Sequence, residues 1–175
     1  MKLAVIGAVA GADSVMRLAR DVGRAIANKG SVLLTGAATG YGHAACLGAM
    51  EMGGLVVGIS PAAEVSEHKR MGLPADAFDV IVYTGFGYKG RNVVLVNSCD
   101  AAIMVGGKAG TLNEFTIAFD SGKVIGVLTG SGGATGLIKE ISEVCDKNGE
   151  KNNVVYSDDP EKLVDEVVRL VRSLS

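Results

Sequence analysis

The apolar residues of this chain are distributed as in a protein that alternates strands and helices. Seven short aliphatic runs recur along the sequence, at residues 3–7, 31–35, 55–60, 79–84, 100–105, 123–128 and 153–156. Because these runs are apolar throughout, they predict strands of a parallel sheet that is covered on both faces. The segments between them have apolar residues at helical spacing, as Val15, Val22 and Ile26 show.

This alternation predicts an α/β fold: a single Rossmann-like domain over residues 1–175, with a doubly wound, mostly parallel sheet of about seven strands flanked by helices. Asp158 or Asp159 can cap the last helix, and Pro160 suits its first turn. The mixed-charge segment 64–70 predicts a solvated loop without chemistry. The glycine-rich segment 129–136 is expected to be the most mobile loop.

The loops that follow the predicted strands are unusually rich in glycine. Ligands of open α/β sheets bind beyond the carboxyl ends of the strands, where these loops lie. Closely spaced glycines also let backbone amides approach an anion. We therefore expect a nucleotide or phosphate site formed by two loops, with the candidate residues Gly36, Gly40, Gly42, Gly106, Gly107, Lys108, Gly110 and Thr111.

Two side chains near these loops are candidates for chemistry. Glu114 follows the glycine loop on a predicted helix, where a strand, a loop and a helix N-terminus together favour an anion. Thr111 and Glu114 also have the spacing of a capping box, in which the glutamate only folds back on the helix start. Arg91, in the first turn of another predicted helix, is either a solvated surface charge or a clamp for a phosphate or ribose.

Composition excludes several classes of protein. The 17 basic and 19 acidic residues give a net charge of −2, and tryptophan is absent, which argues against a nucleic-acid partner. The chain lacks both the GxGxxG fingerprint of NAD enzymes and the Walker motif. With two histidines and three scattered cysteines, we predict no metal, no disulfide and no cofactor. No apolar run is long enough to cross a membrane, so we expect a cytoplasmic protein.

Two segments, LLTGAATGYGHAACLGAMEMGGLVVGISP and YKGRNVVLVNSCDAAIMVGGKAGTLNEF, resemble the LOG (Lonely Guy, "lysine decarboxylase-like") family. The resemblance covers nearly the whole chain and is closest to the smaller branch related to molybdenum-cofactor carrier proteins. It implies that Arg91 and Glu114 are catalytic and that the loop from Gly106 to Thr111 binds phosphate. It also implies a homodimer or a higher assembly, which the alanine- and glycine-rich helix after Tyr41 favours as well.

The reaction implied by the resemblance is hydrolysis of the N-glycosidic bond of a nucleoside 5′-monophosphate, with Glu114 stabilising the oxocarbenium-like transition state. The chain departs from the enzymes in four ways. Val105 replaces the motif's proline, Lys108 and Ala109 stand where the enzymes have one residue, and Asn92 stands where they usually have lysine. The fourth is TGYGH, at residues 39–43, where many members have GGVME. Two alternatives therefore stay open: a non-catalytic carrier or sensor of a phosphorylated cofactor and, less favoured, a nucleic-acid-processing module.

Overall fold

All seven predicted strands form, and they pair into one sheet in which every neighbouring pair is parallel. A computed structural model describes residues 1–174. The strand order is β4-β3-β2-β1-β5-β6-β7, which confirms the predicted Rossmann-like architecture. The strands are β1 Lys2–Gly7, β2 Val32–Thr35, β3 Val56–Ser60, β4 Val80–Tyr83, β5 Ala101–Val105, β6 Val124–Leu128 and β7 Val154–Ser157.

Within residues 1–174, seven α-helices connect and flank the strands. They are α1 Asp13–Asn28, α2 Tyr41–Glu51, α3 Val65–Arg70, α4 Gly87–Ser98, α5 Ala109–Asp120, α6 Ile138–Cys145 and α7 Pro160–Leu174. Asp159 caps α7 as predicted, since its Oδ1 accepts hydrogen bonds from the amides of Glu161 (2.9 Å) and Lys162 (3.1 Å). Between residues 1 and 174, none of the helices has the length and apolar character needed to cross a bilayer.

Alternating side chains of β1 show how the sheet is covered. Leu3 and Val5 lie in a core formed with α1, α2 and α7, whereas Ala4 and Ile6 lie in a second core formed with α4, α5 and α6. Successive residues of a strand point to opposite faces, so both faces of β1 are buried. This explains why the central strands are continuously apolar in sequence.

Glycines allow α1 and α2 to cross closely. A Cβ at Gly23 would overlap the carbonyl oxygen of Ala45, and one at Gly48 would overlap that of Arg20. The small residues of α2 are thus used within the chain, so they no longer indicate a contact between subunits. Association remains a prediction that rests on the family resemblance.

The prediction of a solvated loop at residues 64–70 is wrong, because this segment contains α3 and a buried histidine. His68 is 1% exposed. Its Nδ1 lies 2.8 Å from the Ser60 hydroxyl, and its Nε2 lies 2.9 Å from the Pro74 carbonyl. A carbonyl only accepts, so Nε2 carries the proton and Nδ1 accepts from Ser60. Because its sequence neighbours are charged, His68 was not recognised as a buried residue. Its hydrogen bond with Ser60 links α3 to the end of β3.

The close crossing of α1 and α2 predicts that Gly23→Ala destabilises the protein. An alanine normally stabilises a helix relative to glycine, but here its methyl group would overlap a backbone atom of α2. We expect a loss of about 2 kcal/mol in the free energy of unfolding, measured by urea denaturation. Gly136→Ala is the control, because a Cβ at Gly136 meets no atom within 4 Å. Unchanged stability of Gly23→Ala would contradict the described crossing.

Candidate functional site

A cleft of about 260 Å³ opens beyond the carboxyl ends of the strands, beside β1 and β5. These two strands are neighbours, but the chain leaves β1 toward β2 and leaves β5 toward β6. Such a reversal of strand order opens a crevice in α/β sheets. The first turns of α2, α4 and α5 all contribute to its wall, through Gly42, Tyr88 and Gly110 among others. The positive ends of three helix dipoles therefore face one cleft.

Three glycines of the surrounding loops make room for the buried ring of Tyr41. A Cβ at Gly11 would overlap the Tyr41 hydroxyl oxygen, and one at Gly106 would lie 2.8 Å from Cε2 of the same ring. A Cβ at Gly7 would lie 3.2 Å from the Tyr41 Cβ and 2.6 Å from the Val105 carbonyl oxygen. Part of the glycine content of this edge thus serves internal packing and not a ligand.

The loop after β5 is held in place by residues that follow β6. Ser131 Oγ accepts a hydrogen bond from the Gly106 amide (2.8 Å) and donates one to the Leu128 carbonyl (2.5 Å). The Gly107 carbonyl accepts from the Ala134 amide at 2.9 Å. The Gly106 amide is therefore engaged within the protein and cannot bind a phosphate unless Ser131 moves away.

The amides that follow remain available. In residues 1–174, no hydrogen bond involves the amide of Gly107, Lys108, Ala109, Gly110 or Thr111. First-turn amides of a helix have no intrahelical acceptor and so can bind an anion. A Cβ at Gly110 would meet no atom within 4 Å, so this glycine leaves open space at the start of α5.

An ion pair between α4 and α5 forms one wall of the cleft. Both side chains are buried: Arg91 and Glu114 are each 6% exposed, and Arg91 Nη1 donates to Glu114 Oε1 at 3.1 Å. Arg91 Nε has no hydrogen-bond partner among the described residues. No residue of the described chain hydrogen-bonds Glu114 Oε2 either. Each member of the pair thus keeps unused hydrogen-bonding capacity beside the cleft.

Burial shifts the acidity of both groups toward their neutral forms. Loss of hydration raises the pKa of Glu114 from 4.5 to about 7, although the Arg91 charge and its hydrogen bond oppose the increase. Burial lowers the pKa of Arg91, which the Glu114 charge in turn opposes. Arginine nevertheless stays protonated in proteins. Glu114 is therefore the group of this pair that changes protonation near neutral pH.

Asn92 supports the same carboxylate. In one orientation its side-chain nitrogen donates to Asn113 Oδ1 at 2.9 Å. In the other orientation, which satisfies more of its neighbours, it donates to the Tyr88 carbonyl (2.9 Å) and to Glu114 Oε1 (3.1 Å). A neutral amide, and not a second cation, thus stands beside Glu114.

The structure brings most of the predicted site residues together. Those that line the cleft are Gly36, Gly42, Arg91, Lys108, Gly110, Thr111 and Glu114. Gly40, Gly106 and Gly107 are not among its lining residues. Gly40 has a φ of 85°, and a Cβ there would overlap the Ala8 carbonyl oxygen. Gly107, with a φ of 108°, would place a Cβ 2.5 Å from the Thr111 Cβ.

The candidate residues chosen from the sequence did not include several that line the cleft, namely residues 5–10, Thr35, Ala38, Thr39, Tyr88, Lys89 and Asn92. The signal for residues 7–10 was the GAVAG loop after the first strand, but only the strand order shows that this loop lies at the reversal point. Tyr88, Lys89 and Asn92 flank Arg91 in sequence, so a helix that presents Arg91 to a ligand also brings its neighbours close.

The capping-box alternative for Glu114 is wrong. The residue before α5 is Lys108, its side chain makes no capping hydrogen bond, and Thr111 lies within the helix. Glu114 reaches across to α4 instead of back to the start of its own helix. Arg91 is likewise not a solvated surface charge, because it is buried.

Comparison with known proteins shows the family of this chain. The family model of the SLOG cluster4 family matches residues 1–164. This chain belongs to that family. An uncharacterized protein of Archaeoglobus fulgidus is 40% identical over 128 residues, which are 73% of this chain and 80% of the relative. The SLOG cluster4 assignment confirms the LOG-like resemblance seen in the sequence.

Solved structures of similar proteins extend the comparison. The molybdenum cofactor binding protein of Rippkaea orientalis has a TM-score of 0.82 and 26% identity, covering 97% of this chain and 96% of its own. The molybdenum cofactor carrier protein of Chlamydomonas reinhardtii has a TM-score of 0.80 and 26% identity, covering 98% of both chains. DNA processing protein A of Helicobacter pylori, at 17% identity and a TM-score of 0.68 over 97% of this chain and 80% of its own, shares the fold alone.

Gly36 sets the position of the arginine. A Cβ at this residue would overlap the guanidinium group of Arg91. We expect Gly36→Ala to displace Arg91 and to weaken binding of inorganic phosphate by about tenfold or more, measured by NMR titration of backbone amides. Gly136→Ala is the matched control, since a Cβ there would meet no atom within 4 Å and Gly136 does not line the cleft. Equal phosphate affinity in the two variants would show that Gly36 does not act through Arg91.

The raised pKa of Glu114 predicts a specific pH dependence of stability. The carboxyl group has a pKa of 4.5 when unfolded and about 7 when folded, so its stabilising contribution is complete below pH 4.5 and is lost as the pH rises through 7. Relative to Glu114→Gln, the wild type should lose on the order of 3 kcal/mol over this range. Urea denaturation of both proteins at several pH values measures the difference. A difference that does not change with pH would contradict the shifted pKa.

Proposed function

We propose that this protein binds a phosphorylated small molecule in the cleft and acts as its carrier or sensor. The observation that carries the proposal is the buried Arg91, whose Nε has no partner within residues 1–174 beside a cleft that also meets the open first turn of α5. A buried cation with unused donors is costly unless a ligand anion satisfies it. The phosphate would lie on the amides from Gly107 to Thr111.

The charges of the cleft favour an anionic ligand. Lys89, Arg91 and Lys108 line it, and Glu114 is its one carboxylate among the described residues. Lys89 and Lys108 are exposed and would attract an anion to the mouth of the cleft, whereas Arg91 lies in its buried wall. The remaining wall is largely small and apolar, from Val5 to Ala10, which suits the uncharged part of a nucleotide or a pterin.

The similar structures support the carrier role. Both proteins named for the molybdenum cofactor match this chain over nearly its whole length. We infer a phosphorylated organic cofactor, held without turnover, as the first candidate ligand. A nucleic-acid-processing role has less support, because the similarity to DNA processing protein A rests on the fold and the chain carries no excess of basic residues.

The second candidate is hydrolysis of a nucleoside 5′-monophosphate at its N-glycosidic bond. It is favoured by one observation: Glu114 lies beside the cleft with a carboxylate oxygen, Oε2, that no residue in the described part of the chain engages. A carboxylate placed there can stabilise the positive charge that develops on the sugar. Arg91 would then orient the substrate while the phosphate supplies remote binding energy.

The variant Gly110→Asp tests ligand binding at the α5 amides without a loss of protein stability. The open space at Gly110 accepts the side chain, and an acidic residue in a first turn favours the helix. The same charge repels a phosphate, so we expect at least about tenfold weaker binding of phosphorylated ligands at an unchanged melting temperature. Calorimetry with a phosphorylated pterin, a panel of nucleoside 5′-monophosphates and the unphosphorylated nucleosides provides the measurement.

Gly136→Asp is the matched control, because Gly136 also has open space around it. It should bind every ligand as the wild type does. Equal affinity for phosphorylated and unphosphorylated compounds would refute the phosphate site. Release of free base from any nucleotide in the same panel would replace the carrier role with the enzymatic one. Mass spectrometry of small molecules retained on purification identifies the first ligand to test.

A further inference from the structure

The Arg91–Glu114 pair is arranged so that an incoming anion must compete with a carboxylate that belongs to the protein. The pair shares a single hydrogen bond, Nη1 to Oε1 at 3.1 Å. Backbone at Gly36 closes one side of the guanidinium, since even a methyl group there would overlap it. An anion that reaches Arg91 therefore approaches from the cleft, where Glu114 already neutralises the arginine.

We propose that an anion bound in this cleft replaces Glu114 as the ion-pair partner of Arg91. Binding of the anion is coupled to the uptake of one proton, which Glu114 accepts from solvent. The inference rests on the proposed anion site and specifies how that site is regulated. Glu114 then acts as a built-in counter-anion. Without a ligand, Glu114 is ionised and pairs with Arg91. When a ligand supplies the negative charge instead, Glu114 becomes a neutral acid.

Electrostatics at a buried site require this exchange. A ligand anion beside an ionised Glu114 would place two like charges against one arginine, at a position shielded from water. Protonation of the carboxyl group at Oε1 or Oε2 removes the repulsion and leaves one cation facing one anion. The proton comes from water or buffer, so the complex gains the ligand's charge plus one positive charge.

Among the described residues that line the cleft, Glu114 is the only carboxyl group and therefore the only one that can act as this counter-anion. The titratable residues that line the cleft with it are Tyr88, Lys89 and Arg91 of α4 and Lys108 at the start of α5. Lys89 and Lys108 are exposed cations that favour the anion in either state. Among residues 1–174, the other elements that pack against α5 include β1, β5, β6 and the 3-10 helices Gly133–Leu137 and Glu150–Asn153. Their titratable side chains do not line the cleft: Lys2 of β1 pairs with Asp100, Lys151 pairs with Glu143, and Glu150 accepts hydrogen bonds from the amides of Lys147 and Asn148.

The acidity of the carboxyl group suits an exchange at physiological pH. Burial raises the pKa of Glu114 to about 7 in the empty protein, so a modest further increase on anion binding leads to proton uptake. By linkage, affinity for the anion falls by up to roughly tenfold for each pH unit above 7, until the pKa of the complex is reached. The protein would thus release its ligand as the surroundings become alkaline.

Sulfate tests the inference, because its charge is constant across the range in which inorganic phosphate itself titrates. We would measure the dissociation constant of sulfate at about pH 6 and about pH 8.5 by NMR titration of the Gly110 and Thr111 amides. We expect weakening by about tenfold or more at the higher pH. Addition of sulfate to a weakly buffered solution near pH 7.5 should also raise the pH, because protons are taken up.

Two variants test whether Glu114 causes the pH dependence of sulfate binding. In Glu114→Gln the dissociation constant should be the same at both pH values, and sulfate should no longer raise the pH. Glu161→Gln, at an exposed residue of α7, is the matched control and should keep the wild-type dependence. Sulfate binding that is independent of pH in the wild type, or equally dependent on pH in Glu114→Gln, would overturn the inference and leave the anion site intact. Absence of sulfate binding at both pH values would overturn the anion site as well.

Discussion

The cleft of the candidate site depends on the divergence of the chain after β1 and β5. The two strands lie side by side, yet one leads into helices on one half of the sheet and the other into helices on the other half. The loops that leave the two strands therefore diverge, and a cleft opens at their carboxyl ends. The parallel arrangement also brings the first turns of α2, α4 and α5 to the same edge, where the helix dipoles and the free amides of α5 favour an anion.

The Arg91–Glu114 pair distinguishes the proposed anion site from a general one. A buried ion pair contributes little net stability, because the loss of hydration offsets most of the attraction. Here the geometry is also incomplete, with one hydrogen bond and unused atoms on both partners. Such an arrangement is better explained by what it does with a ligand than by what it adds to folding. The side chain of Asn92 beside the pair is neutral and adds no charge, whereas a cation in its place would hold Glu114 ionised.

The glycines of the cleft have two distinct purposes. Gly106 and Gly107 adopt positive φ angles of 56° and 108°, and their missing side chains make room for Tyr41 and Thr111. Gly110 has no neighbour that needs the space, which leaves it for a ligand. A single glycine-rich stretch therefore combines residues that shape the loop with one that keeps the surface of α5 accessible.

The sequence by itself determined the strands, most helices and the edge of the sheet at which the cleft opens. These features follow from local periodicity and from the rule for parallel sheets, and neither requires knowledge of distant contacts. Only the tertiary structure decided which glycines face the cleft, that Glu114 reaches across to Arg91 and does not cap its own helix, and that His68 is buried. Each of these depends on residues far apart in the chain: Gly106 on Ser131, Glu114 on Arg91, and His68 on Pro74 beyond its own helix. A local pattern shows what a residue is able to do, whereas its burial and its partner are set by the fold.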